Sequence, residues 1–350
     1  SVLMHCFVIT GLMSLIWLGF GYTMAFSTEG MEAGKVGWNA FVGGFDKVFL
    51  KGVSADSPWG TIPEPLFFVF QMTFFIITPG LIVGAFVERM KFSAMLWFVS
   101  LWSILVYLPV CHMVWGGAGG FFADMGVLDF AGGIVVHITA GVAALIACIM
   151  VGKRKDYPKS QILPHNLPIT VTGAAMLWVG WFGFNGGSAL GANGDAAMAI
   201  LVTHISASCG ALGWMILEWR KAGKPSVLGV ATGSIAGLAA ITPASGSVGA
   251  FGAVVIGFVS TGLCYWMCTK IKSKYRYDDS LDVFGVHGVG GFVGTVLVAV
   301  FGAQSLGGSV DGLIMSKQLG VQLFAGVSVA VYTAIVTYLI LKVIQKRLVY

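Results

Sequence analysis

The feature that most restricts the fold of this chain is a succession of apolar segments, each long enough to cross a lipid bilayer as a helix. A bilayer core requires about 20 mostly apolar residues. Of the 350 residues 57% are hydrophobic and only 10% are charged, whereas about a quarter of an ordinary soluble domain is charged. The sequence therefore predicts an all-α integral membrane protein with ten transmembrane segments: 1–26, 63–87, 92–112, 130–151, 167–186, 195–218, 226–243, 247–269, 282–302 and 318–341.

The loops between these segments alternate in charge, and this alternation predicts which side of the membrane each one faces. Loops 113–129, 187–194 and 243–247 contain no lysine or arginine. Basic residues instead follow the second, fourth, sixth, eighth and tenth segments: Arg89, Lys91, Lys153, Arg154, Lys155, Lys159, Arg220, Lys221, Lys224, Lys270, Lys272, Lys274, Arg276, Lys342, Lys346 and Arg347. By the positive-inside rule these loops and the C-terminus are cytoplasmic, and the acidic segment 27–62 is external.

The two ends of the chain follow from this sidedness. Ser1 falls on the cytoplasmic side and opens directly into apolar sequence, without a basic flank or a signal peptide. Tyr350 follows the last basic cluster at once. We therefore expect the chain to be truncated at both ends. The net charge of +5 does not indicate a nucleic-acid partner, because the basic residues are dispersed over short loops.

Two histidines lie inside glycine-rich apolar segments in matching sequence frames. Val136-His137 is followed by Ala140-Gly141, and Val286-His287 by Gly290-Gly291. An imidazole in hydrocarbon is costly, because lipid offers no partner for its ring nitrogens. The histidines occupy the fourth and ninth segments, which predicts two inverted repeats of five helices around a central pore near the midplane. Such a pair indicates a path for a small, protonatable solute.

A carboxylate precedes the first of these histidines by eight residues. Asp129 follows a loop and opens the apolar run that contains His137. At a helix start it would accept backbone N–H bonds and cap the helix. Direct binding of a cation is the alternative, and indirect electrostatic help to a nearby cation is compatible with capping.

Aromatic residues collect near the external ends of the segments. Phe70 and Phe74 are one helical turn apart, as are Phe184 and Ser188, and Trp115 precedes a glycine pair. Aromatic faces attract a cation that is losing its water by about 0.5–2 kcal/mol each, and a hydroxyl adds a directional hydrogen bond. For any one of these aromatics, an interfacial belt or core packing is the ordinary interpretation.

These stretches resemble the ammonium transporter/methylammonium permease family, in its ammonium transporter branch, over nearly the whole chain. Seven runs carry the resemblance, in order: Phe70 to Phe74, Gly84 to Arg89, His112 to Gly117, Asp129 to His137, His165 to Pro168, Gly180 to Asn185 and Asp282 to Gly288. The resemblance implies eleven helices with an external N-terminus, so that this chain corresponds to helices two to eleven. It also implies that residues 1–350 form a single transporter domain and that the protein is a homotrimer with one pore per subunit.

The resemblance implies a role for each matching residue. Trp115, Phe70 and Ser188 would recruit ammonium externally, and Phe74 and Phe184 would form the gate beneath. The twin histidines, His137 and His287, would line a narrow apolar conduit, in which ammonia moves after deprotonation and the proton is relayed separately. Asp129 would be the structural acid that organises the recruitment site. Those role-bearing residues are Trp115, Phe70, Ser188, Phe74, Phe184, His137, His287 and Asp129.

Three functions are compatible with these residues. The first is ammonium transport, with methylammonium as an analogue, across the plasma membrane. The second is an ammonium sensor of the same fold, which would signal through a cytoplasmic domain. A nitrogen-regulatory PII-type protein is a candidate partner on the cytoplasmic side. The third is a redox protein with His137 and His287 as haem or metal ligands, against which stands the absence of a Cys-x-x-Cys-His motif. We expect a non-enzymatic protein without a cofactor or metal.

Overall fold

The computed structural model describes residues 2–159 and 164–345. Ser1, Lys346, Arg347 and Tyr350, on which expectations about the termini rest, lie outside these ranges. Within them the chain forms nine apolar helices long enough to cross a membrane and one shorter helix, Val227–Ile241. Numbered as spans 1 to 10, they are Val2–Phe26, Glu64–Val83, Phe92–Trp115, Gly133–Val151, Leu167–Gly187, Gly194–Ala222, Val227–Ile241, Ala250–Tyr275, Phe284–Phe301 and Met315–Ile344.

The prediction of an all-α membrane protein is confirmed, with helix bounds close to the predicted ones. In the described residues nine of the ten predicted segments form helices long enough to cross a membrane, and the seventh forms the shorter helix. The largest difference is at span 8, which ends at Tyr275 instead of residue 269. Side chains mark several helix starts, because the oxygens of Asn166, Asn193 and Ser226 accept the N–H groups of Ile169, Ala196 and Gly229. The four N–H groups that open a helix lack partners within it, so these caps are local causes of the helix starts.

Five spans contain a wider, π-helical stretch. These are Trp17–Gly21 in span 1, Ser103–Tyr107 in span 3, Gly133–Ile138 in span 4, Met267–Ile271 in span 8 and Phe284–Gly288 in span 9. Such stretches occur frequently at functional sites. The stretches in spans 4 and 9 hold His137 and His287 respectively. The two halves of the fold therefore share a local distortion as well as a sequence frame.

The loops that follow spans 2, 4 and 8 meet at one end of the molecule. Arg154 donates two hydrogen bonds to the Asp278 carboxylate, from Nη2 to Oδ1 at 2.7 Å and from Nε to Oδ2 at 3.0 Å. Arg89 donates to the backbone oxygens of Gly152 and Asp278. Burial raises the pKa of Asp278, but the Arg154 hydrogen bonds outweigh it and hold that pKa below its usual value. These three loops carry basic residues, so their meeting agrees with the predicted alternation of sides.

The opposite end is formed by the connection between spans 1 and 2 and by the turns Phe121–Asp124 and Gln304–Leu306. That connection contains helical turns Trp38–Ala40 and Val48–Leu50 and an antiparallel hairpin, in which strand β1 (Pro58–Trp59) pairs with strand β2 (Ile62–Pro63). His112 of span 3 fastens it, because its Nδ1 and Nε2 each lie 2.9 Å from a carbonyl oxygen, of Ala25 and Asn39 respectively. The segment 27–62 is therefore fixed against the ends of spans 1 and 3.

Candidate functional site

The two histidines of spans 4 and 9 meet in the interior. The Nδ1 atoms of His137 and His287 are 3.2 Å apart, and the ring planes are inclined by 18° with centroids 5.2 Å apart. Both side chains are buried. Two ring nitrogens on opposite faces of one metal, each at about 2 Å, would lie about 4 Å apart. The shorter separation favours a direct hydrogen bond and disfavours the haem interpretation.

Both oxygens of the Asp129 carboxylate accept hydrogen bonds from backbone N–H groups at the start of span 4. Its Oδ1 accepts the N–H groups of Gly132 and Gly133, and its Oδ2 those of Ile134 and Val135, at distances from 2.5 to 3.1 Å. Burial raises the pKa of Asp129 to about 6, while these four bonds oppose that rise. The carboxylate thus caps the helix, and both oxygens are engaged by N–H donors instead of facing a cation.

A second acid occupies the equivalent position in the other half of the fold. Asp279 precedes His287 by eight residues, as Asp129 precedes His137. Its Oδ2 accepts the N–H of Phe284, the first residue of span 9, at 2.8 Å. Burial and the nearby Asp282 raise the pKa of Asp279 to about 6. Sequence reasoning missed Asp279, although its spacing to the histidine was a signal that could have identified it.

Three residues predicted to recruit a cation line one small cavity of about 170 Å³ at the end opposite the basic loops, here called the vestibule. They are Phe70, Trp115 and Ser188, together with Phe74. The indole Nε1 of Trp115 donates to the backbone oxygen of Asp129 at 2.7 Å, which fixes the ring in place. The Ser188 hydroxyl donates to the Phe184 carbonyl at 2.9 Å, so that its lone pairs remain available to a donor.

The vestibule also has walls that sequence reasoning did not identify. The remaining lining residues are Phe26, Trp59, Phe67, Gln71, Phe130 and Leu190. Trp59 comes from the β hairpin, outside any apolar segment, so helical spacing gave no signal for it. Its ring stacks on Phe67 of span 2, with centroids 4.2 Å apart and planes inclined by 12°.

The floor of the vestibule is a stacked pair of rings. Phe74 and Phe184 have centroids 4.1 Å apart, with an interplanar angle of 27°. Phe74 also meets Trp115 edge-on at 5.5 Å. On the far side, the centroid of Phe184 lies 6.5 Å from that of His137. The rings therefore form a continuous series from the vestibule to the histidine pair, and Phe74 and Phe184 separate the two.

Beyond this floor lies a larger, mostly apolar cavity of about 850 Å³, here called the conduit. Its lining includes the buried His137, His287 and Trp181, and along span 5 it reaches the exposed residues Gly173 and Met176. Trp181 stacks on His137 with centroids 5.5 Å apart and donates from Nε1 to Thr242 Oγ1 at 2.9 Å. This contact holds the imidazole against a flat apolar surface. Trp181 lies in the run Gly180 to Asn185, but no sequence pattern assigned it a role.

Fold and site together define a multi-pass helical membrane protein with a buried passage, closed by aromatic rings on one side and lined by paired histidines. The chain belongs to the Ammonium Transporter Family, whose model matches residues 1–349. It is 44% identical over 350 residues to an ammonium transporter of Bacillus subtilis (strain 168), covering 99% of this chain and 83% of that protein.

Solved structures agree with this membership. The crystal structure of Saccharomyces cerevisiae Mep2 matches with a TM-score of 0.88 at 35% identity, covering 99% of this chain and 80% of that one. A structure described as a Sensor Amt Protein matches with a TM-score of 0.89 at 29% identity, covering 99% of this chain and 85% of that chain. The same fold therefore occurs in relatives described as ammonium transporters and in one described as a sensor.

Proposed function

We propose that this protein moves ammonium across the membrane by deprotonating it at the vestibule floor and conducting neutral ammonia through the conduit. One observation carries the proposal: an aromatic vestibule, a stacked ring pair and a histidine-lined apolar cavity follow one another without a break. Transport is the function of the family to which the chain belongs. The only covalent change is a proton transfer, so we class the protein as a transporter and not as an enzyme.

The vestibule recruits ammonium with groups that stabilise a cation as it leaves water. The rings of Phe70 and Trp115 each contribute about 0.5–2 kcal/mol to a partly desolvated cation. Ser188 accepts one N–H of the ion, since its own proton is committed to Phe184. Asp129 acts indirectly, because its carboxylate orders the backbone whose carbonyl holds Trp115. The site is thus selective for a small cation that can donate hydrogen bonds.

Selection against potassium follows from the dry passage. Transfer of an ion into a medium of low dielectric ideally costs on the order of 20 kcal/mol, and ammonia avoids most of that cost. Potassium has no proton to release, so Phe74 and Phe184 bar it while ammonium passes as ammonia. Methylammonium, which also releases a proton, is the expected analogue.

The histidine pair provides hydrogen bonds and a route for the proton. A hydrogen bond between the two Nδ1 atoms requires one ring to donate and the other to accept. None of the described residues pairs with the buried His137 Nε2, so this nitrogen has a hydrogen bond to offer to ammonia. An imidazole can take up a proton at one nitrogen and release one from the other, and a separate relay of this kind through the pair makes net transport electrogenic.

The wider setting is part of the same proposal. Residues 1–350 constitute one transporter domain that assembles as a homotrimer in the plasma membrane, with the C-terminus cytoplasmic. A PII-type protein or a fused signalling domain would act from that side. Sensing is less favoured, because the B. subtilis transporter is 44% identical and the sensor structure only 29% identical.

Currents from proteoliposomes test the proposal. Wild-type protein should give a current on an ammonium jump and none on a potassium jump, and His137→Asp should lose that selectivity or the current. An ammonium-selective current left unchanged in His137→Asp, without potassium leak, would contradict the role of the pair. Absence of ammonium current from folded wild-type protein would favour sensing.

A further inference from the structure

The charged amine of Lys47, in the segment 27–62, lies against Trp59, one of the residues that line the vestibule. The Nζ atom of Lys47 lies 5.5 Å from the ring centroid of Trp59, and Trp59 lines the vestibule beside Phe67. The backbone N–H of Lys47 donates to Thr23 Oγ1 at 3.1 Å, which anchors the lysine to the end of span 1. A fixed positive charge therefore stands behind one aromatic ring of a site that recruits a cation.

This charge is paired with an acid at the start of span 2. Lys47 Nζ lies 2.5 Å from Glu64 Oε1, and the side chains are 27% and 7% exposed respectively. The Tyr22 hydroxyl donates to the same oxygen at 2.7 Å. Glu64 is the first residue of its helix, where the helix dipole favours a negative charge. The carboxylate thus lies in a buried position close to the aromatic wall, with Lys47 and Tyr22 as its partners.

We propose that Lys47 and Glu64 act on the ammonium affinity of the vestibule with opposite signs, each offsetting the other, so that their pairing keeps the aromatic rings as the main determinant of recruitment. The inference rests on the proposed function. Lys47 disfavours a cation in the vestibule and Glu64 favours it, so the intact pair nearly cancels. Removing one partner therefore leaves the opposite charge to act on the recruited ion.

The two single substitutions should shift the KM for ammonium in opposite directions. A unit charge about 10 Å from a bound ion changes its affinity by about tenfold at the effective dielectric of a protein surface. Lys47→Met keeps an apolar stem against Trp59 and should lower KM by about that factor. Glu64→Gln should raise KM similarly, and the double variant should return KM close to the wild-type value.

The chain offers a matched control pair on the same external segment. Lys35 and Glu32 also form an ion pair, but their side chains are 74% and 63% exposed. Exposed pairs are screened by solvent and salt. Lys35→Met and Glu32→Gln should therefore leave KM unchanged.

Ammonium-jump currents from proteoliposomes, recorded over a concentration series at low ionic strength, give KM and the maximal current separately. Opposite KM shifts with a restored double variant support the inference, and so does a smaller shift when an impermeant salt is added. Shifts in the same direction, or a fall in maximal current alone, would indicate a structural role and overturn it. So would a Lys47→Met variant with unchanged KM.

Two conservative variants keep the experiment decisive if Glu64→Gln fails to fold. Lys47→Arg and Glu64→Asp retain their charges and should keep KM near the wild-type value, while Lys47→Met alone still lowers it. If Lys47→Arg lowers KM as much as Lys47→Met, the charge is not responsible and the inference fails. Failure of the proposed function is recognised separately, because wild-type protein would then give no ammonium current at all.

Discussion

At the scale of single residues, the capping carboxylates determine where the histidines stand. Asp129 satisfies four backbone N–H groups at the start of the π-helical stretch that carries His137. A buried N–H without an acceptor costs about 1–3 kcal/mol. The capping role of Asp129 could be inferred from its position before an apolar run. Asp279 could not be inferred that way, because it lies in a loop of several acids whose partners only the folded chain brings together.

Substitution of Asp129 by asparagine should therefore destabilise the protein and reduce transport together. The amide has one acceptor oxygen in place of two, so that N–H groups of the Gly132–Val135 backbone lose their acceptor. We expect a loss of about 1–3 kcal/mol per unsatisfied group, measured as a lower Tm in detergent. Asp124→Asn is the control: Asp124 also accepts two N–H groups, of Gly34 and Gly119, but it is exposed. An equal fall in Tm for both variants would contradict the argument.

At the scale of elements, the approach of spans 4 and 9 sets the distance between the histidines. A Cβ atom at Gly141 would overlap the backbone of Gly288 on the facing span. Spans 4 and 9 can therefore approach this closely because both Gly141 and Gly288 lack a side chain. Small residues allow such close contacts between membrane helices. The shared Gly-containing frame after each histidine indicated a common task, and the folded chain supplies its physical reason.

Gly141→Ala tests this contact. Overpacking a tight interface costs about 1–3 kcal/mol, and separation of the spans should lengthen the His137–His287 hydrogen bond and lower the ammonium current. Gly320→Ala on span 10 is the matched control, because a Cβ there meets open space and alanine favours the helix by about 1 kcal/mol over glycine. If Gly141→Ala keeps the wild-type current and Tm, as Gly320→Ala should keep the current, the close approach is not needed.

The spans themselves were predictable because hydropathy and length are local properties of the sequence. The π-helical stretches Gly133–Ile138 and Phe284–Gly288 were not, since hydropathy does not distinguish one helical pitch from another. The vestibule was predicted in part: Phe70, Trp115 and Ser188 follow helical spacing or stand beside a span end. Trp59 comes from a hairpin whose place depends on contacts with spans 1 and 2, so no local pattern reveals it.

At the scale of the whole molecule, the two halves repeat one device in opposite orientations. Each half offers a carboxylate, a π-helical stretch and a histidine at the same spacing, with Asp129 and His137 in one and Asp279 and His287 in the other. An odd number of spans per repeat turns the second half over in the membrane. The two histidines therefore enter the midplane from opposite sides and meet, which a repeat in one orientation would not bring about.

Span 5 presents a large apolar face to the outside of the subunit. Of the nine long spans in the described residues, span 5 is the least buried, and side chains such as Val179, 67% exposed, project from it away from the conduit lining. Another helix could therefore pack against this face within lipid. We expect this face to contact a second copy within the proposed homotrimer.

Val179→Glu should then separate the subunits. A carboxylate within the bilayer is costly whether it faces a neighbouring helix or hydrocarbon. Poor membrane insertion of the variant would therefore not show that the substituted residue lies in a subunit contact. Ile335→Glu is the control, because Ile335 is similarly exposed on span 10 and would carry the same insertion cost. Native mass spectrometry should find trimers for wild type and Ile335→Glu but monomers for Val179→Glu. Trimers in all three would place the subunit contact elsewhere, and monomers in wild-type protein would contradict the homotrimer itself.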